Sequence, residues 1–480
     1  MESSFKVLII REIQGAIIDF RFWVVLLLCV IIIPLSFYVS VKNYSHNLSD
    51  YQQEVQSYRD NANVSSTFMA EGVRPPSPLS IFSQGLDKKM PYKIITSRNG
   101  NYKIEYAMPD NKKDLLGEMD FSFIVAFVLS ILAIVFTFNS ISGDKENGIL
   151  RIVLSNAVYR RQILLAKLFG NYIVFLVPFL LSILIGLMVV CFSGVIPVFS
   201  AELFPAILIM IGLSLIFLFV LFSLGIWVSA LTRSSSLSIN VLLLIWIILS
   251  LVLPKLSPII GSVVYPVESN SVFEVKKTLL RNSIESEQIN EEIELYDNIQ
   301  AQLPPDEDWR QQTQKANKIY DEQVIPIREK YEKRLALELE QLTGDYTMRC
   351  NRQNNLSRNI ARLSPINSIN NLMAEFSYTG YSEADNFMQH AKTYQAFVKQ
   401  EVYDKFEHKV YRQTGGNSSY SSRAAGFEDV EIPAPVLDNY KYIGLDKVLQ
   451  QNWVDITLLC LYGLLFFVCG FVSFLRFDVR

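Results

Sequence analysis

The stretch Ala206-Ile-Leu-Ile-Met-Ile-Gly-Leu-Ser-Leu-Ile-Phe-Leu-Phe-Val-Leu-Phe-Ser-Leu-Gly-Ile-Trp-Val-Ser-Ala-Leu-Thr-Arg233-Ser-Ser-Ser-Leu-Ser-Ile-Asn-Val-Leu-Leu-Leu-Ile-Trp-Ile-Ile-Leu-Ser-Leu-Val-Leu-Pro254 decides the fold. Its single charged side chain is Arg233. On either side of the turn around that residue, the runs 206–231 and 237–254 are each close to the roughly 20 residues that carry a helix across about 30 Å of hydrocarbon. Only a helix satisfies every backbone N–H and C=O within its own segment in that medium, so the two runs read as antiparallel membrane helices.

Four further runs of this kind lie at 22–41, 121–141, 170–192 and 453–475. The 480 residues are 50% hydrophobic and 19% charged. Their mean hydropathy of +0.23 averages these spans with two long polar segments, 42–120 and 255–452. The first span lacks a small-residue cleavage site and is longer than a signal-peptide core, so it reads as an uncleaved anchor. A net charge of -3 gives no basic field, and nucleic acid is not an expected partner. His46, His390 and His408 stand in no HExxH or paired His/Cys spacing, so no catalytic zinc site is expected. Of the five cysteines, all but Cys350 fall in spans, and no disulfide framework is readable.

Orientation follows from Lys and Arg close to the span ends. Lys6, Arg11 and Arg21 precede the first span, and Lys145, Arg151, Arg160, Arg161 and Lys167 fill 142–169. Arg233 sits in the turn between the fourth and fifth spans, and Arg476 and Arg480 follow the sixth. With six crossings all of these fall on one side, whereas the loop 193–205 has no Lys or Arg. Both termini, including the tail 476–480, are therefore expected in the cytoplasm, and 42–120 and 255–452 outside it. Residues 1–21 read as an interfacial helix on the inner leaflet, held by membrane lipid.

In 42–120, polar residues extend the first span as helix to about Asp60. Tyr92–Ser97 and Tyr102–Ala107 alternate around Asn99-Gly100, the pair that favours a type I′ hairpin turn. Pro75-Pro76-Ser77-Pro78-Leu79 reads as a stiff, non-helical segment. In 255–452, Leu279, Ile289, Ile293, Tyr296 and Leu303 recur at helical multiples, as do Tyr331, Leu335, Leu339 and Leu342, which predicts two amphipathic helices packed as a hairpin. Ser382 with Asp385 resembles a capping box opening a third helix, with Phe387, Ala391, Tyr394, Val398, Val402 and Phe406 on one face. Residues 414–435 read as extended. The fold class is thus an all-α integral membrane protein: six transmembrane helices with a mainly helical extracytoplasmic domain containing a small β-hairpin.

The spans hold almost no ionisable residue, Asp455 near an outer end excepted, which argues against an ion-coupled transporter. Gly143-Asp-Lys-Glu-Asn-Gly148 has two glycines but no following Lys-Ser/Thr, so it is not a phosphate-cradling loop. If ATP drives this protein, another chain binds it. Glu146 to Leu154 is predicted to form a short helix presenting Ile149, Leu150, Val153 and Leu154 as an apolar face. Such a face fits a groove on another protein, and a basic surface helix pair held by anionic lipid is the alternative. In the fourth span, Gly225 and Ser229 form a small-xxx-small pair, read as close packing within the chain rather than a dimer seam.

The loop Gly143-Asp-Lys-Glu-Asn-Gly-Ile-Leu-Arg-Ile-Val-Leu-Ser-Asn-Ala-Val-Tyr-Arg-Arg-Gln-Ile-Leu-Leu-Ala-Lys167 resembles the one before the third span in ABC-2-type exporter permeases. Glu146, Gly148, Leu150, Leu154, Ser155, Arg160, Leu164, Leu165 and Lys167 fit that pattern; Ile149, Ala157 and Ala166 replace its usual Thr, Pro and Gly. Pro76-Ser-Pro-Leu-Ser-Ile-Phe-Ser-Gln-Gly-Leu86, Arg362-Leu-Ser-Pro365, Thr379-Gly380 and Arg476-Phe-Asp-Val-Arg480 are similar to a branch with a large helical extracytoplasmic insert before the last span. The resemblance covers essentially the whole chain. It implies a non-catalytic permease subunit of the bacterial inner membrane, working as two copies with a separate ATP-binding-cassette ATPase that brings ATP and Mg. No cofactor is expected in this chain. Glu146, Gly148, Ile149, Leu150, Val153, Leu154, Arg160 and Lys167 are the expected ATPase-docking residues. Two other readings stay open: a mechanotransmission device that moves a periplasmic partner without passing substrate, and a membrane-bound enzyme or sensor.

Overall fold

The computed structural model describes residues 2–62, 70–96, 102–106, 119–155, 159–303, 309–398, 400 and 440–476. Among the described residues six helices are long and apolar enough to cross a membrane: Phe20–Arg59, Phe121–Glu146, Arg160–Ser193, Phe204–Leu231, Ser235–Val264 and Leu445–Leu475. The chain is an all-α membrane protein, with one small three-stranded sheet among the described residues. It divides into two compact units, Met1–Val252 with Arg362–Arg480, and Leu253–Ala361.

In the first unit, α1 (Glu2–Ile18) precedes the long α2 (Phe20–Ala62). The second span contains a π-helical turn, Ile124–Leu129, and then α3 (Ser130–Thr137). Two short helices follow, α4 (Ser142–Glu146) and α5 (Ile149–Ser155), and then the spans α6 (Arg160–Ser193) and α7 (Phe204–Leu231). The fifth span starts as α8 (Ser235–Ile247) and passes into a second π-helical turn, Ile248–Val252.

Helix α7 is central, with Phe217, Leu218, Val220, Leu221 and Phe222 all buried. Buried serines donate to carbonyls one turn back, Ser182 to Pro178 (2.6 Å) and Ser214 to Met210 (2.8 Å), so their hydroxyls are satisfied inside apolar packing. Two glycines set the helix spacing. A Cβ on Gly186 would lie 2.3 Å from the ring of Phe37, and one on Gly225 1.9 Å from Thr137 Oγ1, so the small-xxx-small pair does pack within the chain. Phe37 also belongs to an aromatic group, its centroid 5.1 Å from Phe82 and 5.4 Å from Phe121.

The sheet is antiparallel, in the order β1 (Ala70–Val73), β2 (Pro91–Thr96), β3 (Tyr102–Tyr106). The hairpin pairs Ile94 with Ile104 and Thr96 with Tyr102; its Asn99-Gly100 turn lies outside the described residues. Strand β1 had no signal in the sequence, because Ala-Glu-Gly-Val neither alternates nor carries a β-branched run. Lys93 ties the sheet to α2, its Nζ 2.9 Å from Glu54 and 2.7 Å from Glu71.

The second unit comprises α9 (Leu253–Val264), α10 (Asn270–Ala301) and α11 (Trp309–Ala361). Gly261 lets α9 approach α11, since a Cβ there would meet Ser357 Oγ at 2.0 Å. Helices α10 and α11 pack as a hairpin. Phe273 stacks on Tyr346 at 3.9 Å and Tyr296 meets Tyr320 edge-on at 5.6 Å, with Ile284, Ile299, Ala316, Val324 and Tyr331 buried. Pro326 lies inside α11 without ending it, and Pro304-Pro305 fall outside the described residues. The inward face of α10 is not the expected one: Leu279, Ile289 and Ile293 are exposed, because the face with Phe273, Ile284 and Ile299 meets α11.

Ion pairs lace this hairpin, Glu292 with Arg328 (3.0 Å), Glu291 with Lys330 (2.9 Å) and Glu287 with Arg334 (2.6 Å). Hydrogen bonding from Arg328 first, then from Gln288 and Tyr320, holds the Glu292 carboxyl down at about 2. A depressed carboxylate stabilises fully above its free value of 4.5 and loses that contribution as pH falls towards 2. Local opening of α10, read by hydrogen exchange corrected for intrinsic rates, should therefore become easier between pH 5 and pH 3, by about 1 kcal/mol for a pair whose arginine is solvated at 56% exposure. Glu292→Gln should flatten that dependence, and an equally steep one in the variant would discard the assignment.

The remaining elements belong to the first unit: α12 (Pro365–Phe376), α13 (Tyr381–Phe397) and α14 (Leu445–Leu475), the sixth span. Ser364 caps α12 by accepting from Asn367 N–H (3.2 Å), and Pro365 opens it, a position where the missing N–H is harmless. Helix α12 is almost wholly buried and is joined to both π-helical spans. Ser364 Oγ donates to the Leu249 carbonyl (2.5 Å), Ser122 Oγ to Asn370 (3.2 Å). On its other side, Arg362 grips the fully buried Asp455 through Nε (2.7 Å) and Nη2 (3.1 Å).

Two expectations are corrected around α13. Its N-cap is Gly380, not a Ser382 box: the buried Glu375 accepts from Tyr381 N–H (3.1 Å) and Ser382 N–H (3.2 Å), and its carboxylate occupies the space a Cβ on Gly380 would need. The Pro-rich segment, expected to be non-helical, forms a 3-10 turn at Pro78–Ile81 capped by Ser77. Ser77 Oγ donates to the Ser377 carbonyl (2.6 Å), and Leu86 N–H to that of Thr379 (2.9 Å), so the motifs at 76–86 and 379–380 meet. Phe387, Ala391, Tyr394 and Val398 of the expected α13 face are buried against Ala70 and Ile94, whereas Val402, Phe406 and 414–435 lie outside the described residues.

Candidate coupling site

Helix α4 is fastened to the turn between α7 and α8. Ile141 N–H and Ser142 N–H both donate to Ser229 Oγ (3.0 and 2.9 Å), which satisfies two of the four donors a helix start leaves free. Lys145 Nζ donates to the carbonyls of Ala230 and of Thr232 (3.0 Å), where the negative end of the α7 dipole favours a cation. The Glu146 carboxylate accepts from Ser235 N–H (3.0 Å) at the start of α8, the matching arrangement for an anion. Gly148, with φ of +71°, makes the reversal into α5, a conformation that favours glycine.

A second set of contacts joins the same loop to α1 and α6. Lys167 is 8% exposed, and its Nζ lies 2.7 Å from Asp144 and 3.3 Å from Glu12. A Cβ on Gly170 would meet Glu12 Cβ at 2.8 Å, so α1 lies directly on α6. Arg21 donates to Asn139 (2.5 Å) and covers the Phe138 ring at 4.7 Å. Arg160 Nη1 reaches the Leu475 carbonyl (2.9 Å), closing the end of the sixth span. A cavity of about 520 Å³ opens here, lined by Arg11, Glu12, Arg21, Asp144, Ile149 and Lys167 among others.

The expected site residues divide into two groups. The expected single helix Glu146–Leu154 is instead two, broken at Asn147-Gly148. Leu150 is 2% exposed and belongs to the chain's own core, with Val153 and Leu154 half-buried against it, so that face is already covered. Ile149 is outward at 45% exposed, joined by Ile152 at 67%. Glu146, Arg160 and Lys167 are engaged within the chain, as caps and ion pairs. Sequence reading missed Glu12 and Asp144, and gave Ser229 only a packing role, because their partners are distant in the chain.

A family model of ABC-2 family transporter proteins matches residues 7–479. The chain belongs to that family. ABC-2 proteins of this kind are membrane transport components, not themselves catalytic, that work with an ATPase subunit in ABC transporters. A comparison with curated proteins found no match. In this ABC-2 protein the loop between the second and third spans thus contacts α6, α7 and α8, and is linked to α1 through Lys167, while keeping two isoleucines at the surface.

Proposed function

We propose that this chain is the permease subunit of an ATP-driven exporter in a bacterial inner membrane, with the α4–α5 end of the bundle in the cytoplasm. The reading is supported by one observation above all: α4 is fastened to α6, α7 and α8, and through Lys167 to α1, while Ile149 and Ile152 of α5 stay exposed. A separate ATPase, carrying ATP and Mg, docks on these isoleucines. Its closure pushes α5. The push passes through Ser229, Lys145 and Glu146 to α7 and α8, and through Asp144 and Lys167 to α1 and α6. Two permease copies serve one complex. The Lys and Arg residues gathered at this end support the orientation. The mechanotransmission reading uses the same linkage and differs in whether substrate crosses between the protomers.

The test is co-purification and coupled transport at equal membrane expression. Burying an aliphatic side chain contributes about 1.5–3 kcal/mol, so Ile149→Asp/Ile152→Asp should lose the ATPase or uncouple its hydrolysis while the permease still folds. Leu150→Asp/Leu154→Asp should instead unfold the loop, since it places carboxylates in the core. Full ATPase recovery and transport with the Ile149/Ile152 variant would falsify the docking assignment.

A further inference from the structure

Helix α10 carries two apolar faces and uses one. Opposite the face that meets α11 stand Val272, Val275, Leu279, Ile289 and Ile293, each between 47 and 62% exposed. They fall on a single three-and-four repeat whose intermediate positions are Asn282 and Ser286, the spacing of a seam for another helix. Over 21 residue steps such a seam is about 31 Å long.

The charges beside this stripe indicate what covers it. Glu285, Glu294 and Asp297 flank its distal half and form no ion pair among the described residues, whereas Glu287, Glu291 and Glu292 are held by Arg334, Lys330 and Arg328. The lysines of α10 are already engaged, Lys276 with Glu268 (2.5 Å) and Lys277 with Glu274 (3.2 Å). The unsatisfied charge around the stripe is therefore acidic. A second copy of α10 brings no unpaired lysine to answer it, and an anionic lipid surface repels it.

We propose that the outer stripe of α10 docks a cationic amphipathic helix of a partner protein, its aliphatic residues filling the seam and its Lys or Arg residues meeting Glu285, Glu294 and Asp297. The partner is recognised by helix-in-groove packing, with charge setting orientation and encounter rate. This inference is independent of the ATPase reading, since it uses only the second unit.

The test uses the full chain in zwitterionic nanodiscs and a labelled four-heptad peptide with Leu at the seam positions and Lys at the flanks, against a control with Glu at the flanks. Fluorescence anisotropy should show binding of the Lys peptide alone, weakening at least tenfold from low to high salt. Ile289→Asp/Ile293→Asp should lose at least tenfold in affinity. Glu285→Lys/Glu294→Lys/Asp297→Lys should reverse the preference towards the Glu peptide, a readout that simple misfolding cannot produce. Equal binding of both peptides, or affinity unchanged in these variants, overturns the proposal. So does efficient cross-linking between two copies through Ile289→Cys, which assigns the stripe to a homodimer, or quenching of a probe at that position by lipid-borne quencher, which assigns it to the membrane.

Discussion

Lys167→Met is expected to lower the apparent melting temperature of the detergent-solubilised protein more than any other single charge removal at the α4–α5 end. Among the described residues its ammonium is the one cation paired with both Glu12 and Asp144, and removing one partner of a buried pair leaves the opposite charge uncompensated, at about 3–5 kcal/mol. The lower part of that range applies, because the two carboxylates keep 31% and 23% exposure and are partly solvated. Neutralising them as well, with Glu12→Gln and Asp144→Asn, should recover most of the loss. A Lys167→Met protein that melts like the native one, or a triple variant no better than the single, removes the ion triad as the clasp between α1, α4 and α6.

The second large effect is a reversal of sign at Gly186. In the native background Gly186→Ala forces a methyl into the Phe37 ring, 2.3 Å from its nearest atom, and overpacking of this kind destabilises by about 1–3 kcal/mol. Phe37→Ala alone removes a fully buried ring and leaves a cavity, for about 3–5 kcal/mol. Added to Phe37→Ala, the same Gly186→Ala methyl enters that cavity, so the double variant should melt above Phe37→Ala. Additive losses across the cycle would mean that α2 and α6 do not meet through these two residues.

The contrast between spans and polar helices shows what a sequence of this type discloses. An apolar run of about 20 residues has one physical solution, and all six were readable. A repeat on a charged helix states that a face exists, not what covers it. Leu279, Ile289 and Ile293 make a more aliphatic repeat than Phe273, Ile284 and Ile299, yet α11 covers the second set. At α5 the same limit holds, with Leu150 turned into the chain's own core, Leu154 half-buried against it, and Ile149 and Ile152 outward. Helix α12 had a signal that went unused: Ser364-Pro365 followed by Ile366, Ile369, Leu372, Met373 and Phe376. The Glu375 cap and the Lys167 clasp had none, because each joins residues that only tertiary structure brings together.

Helix α2 is 43 residues long, roughly 64 Å at 1.5 Å per residue, about twice the hydrocarbon thickness. Its near end is held where Arg21 meets Asn139, and its far portion is joined through Glu54 and Lys93 to the sheet. It thus has the geometry of a lever: a tilt of about 5° about the held base displaces the far tip by about 5 Å. On the proposed coupling, a small stroke at the α1–α4–α6 clasp would reach the sheet enlarged along this one continuous helix.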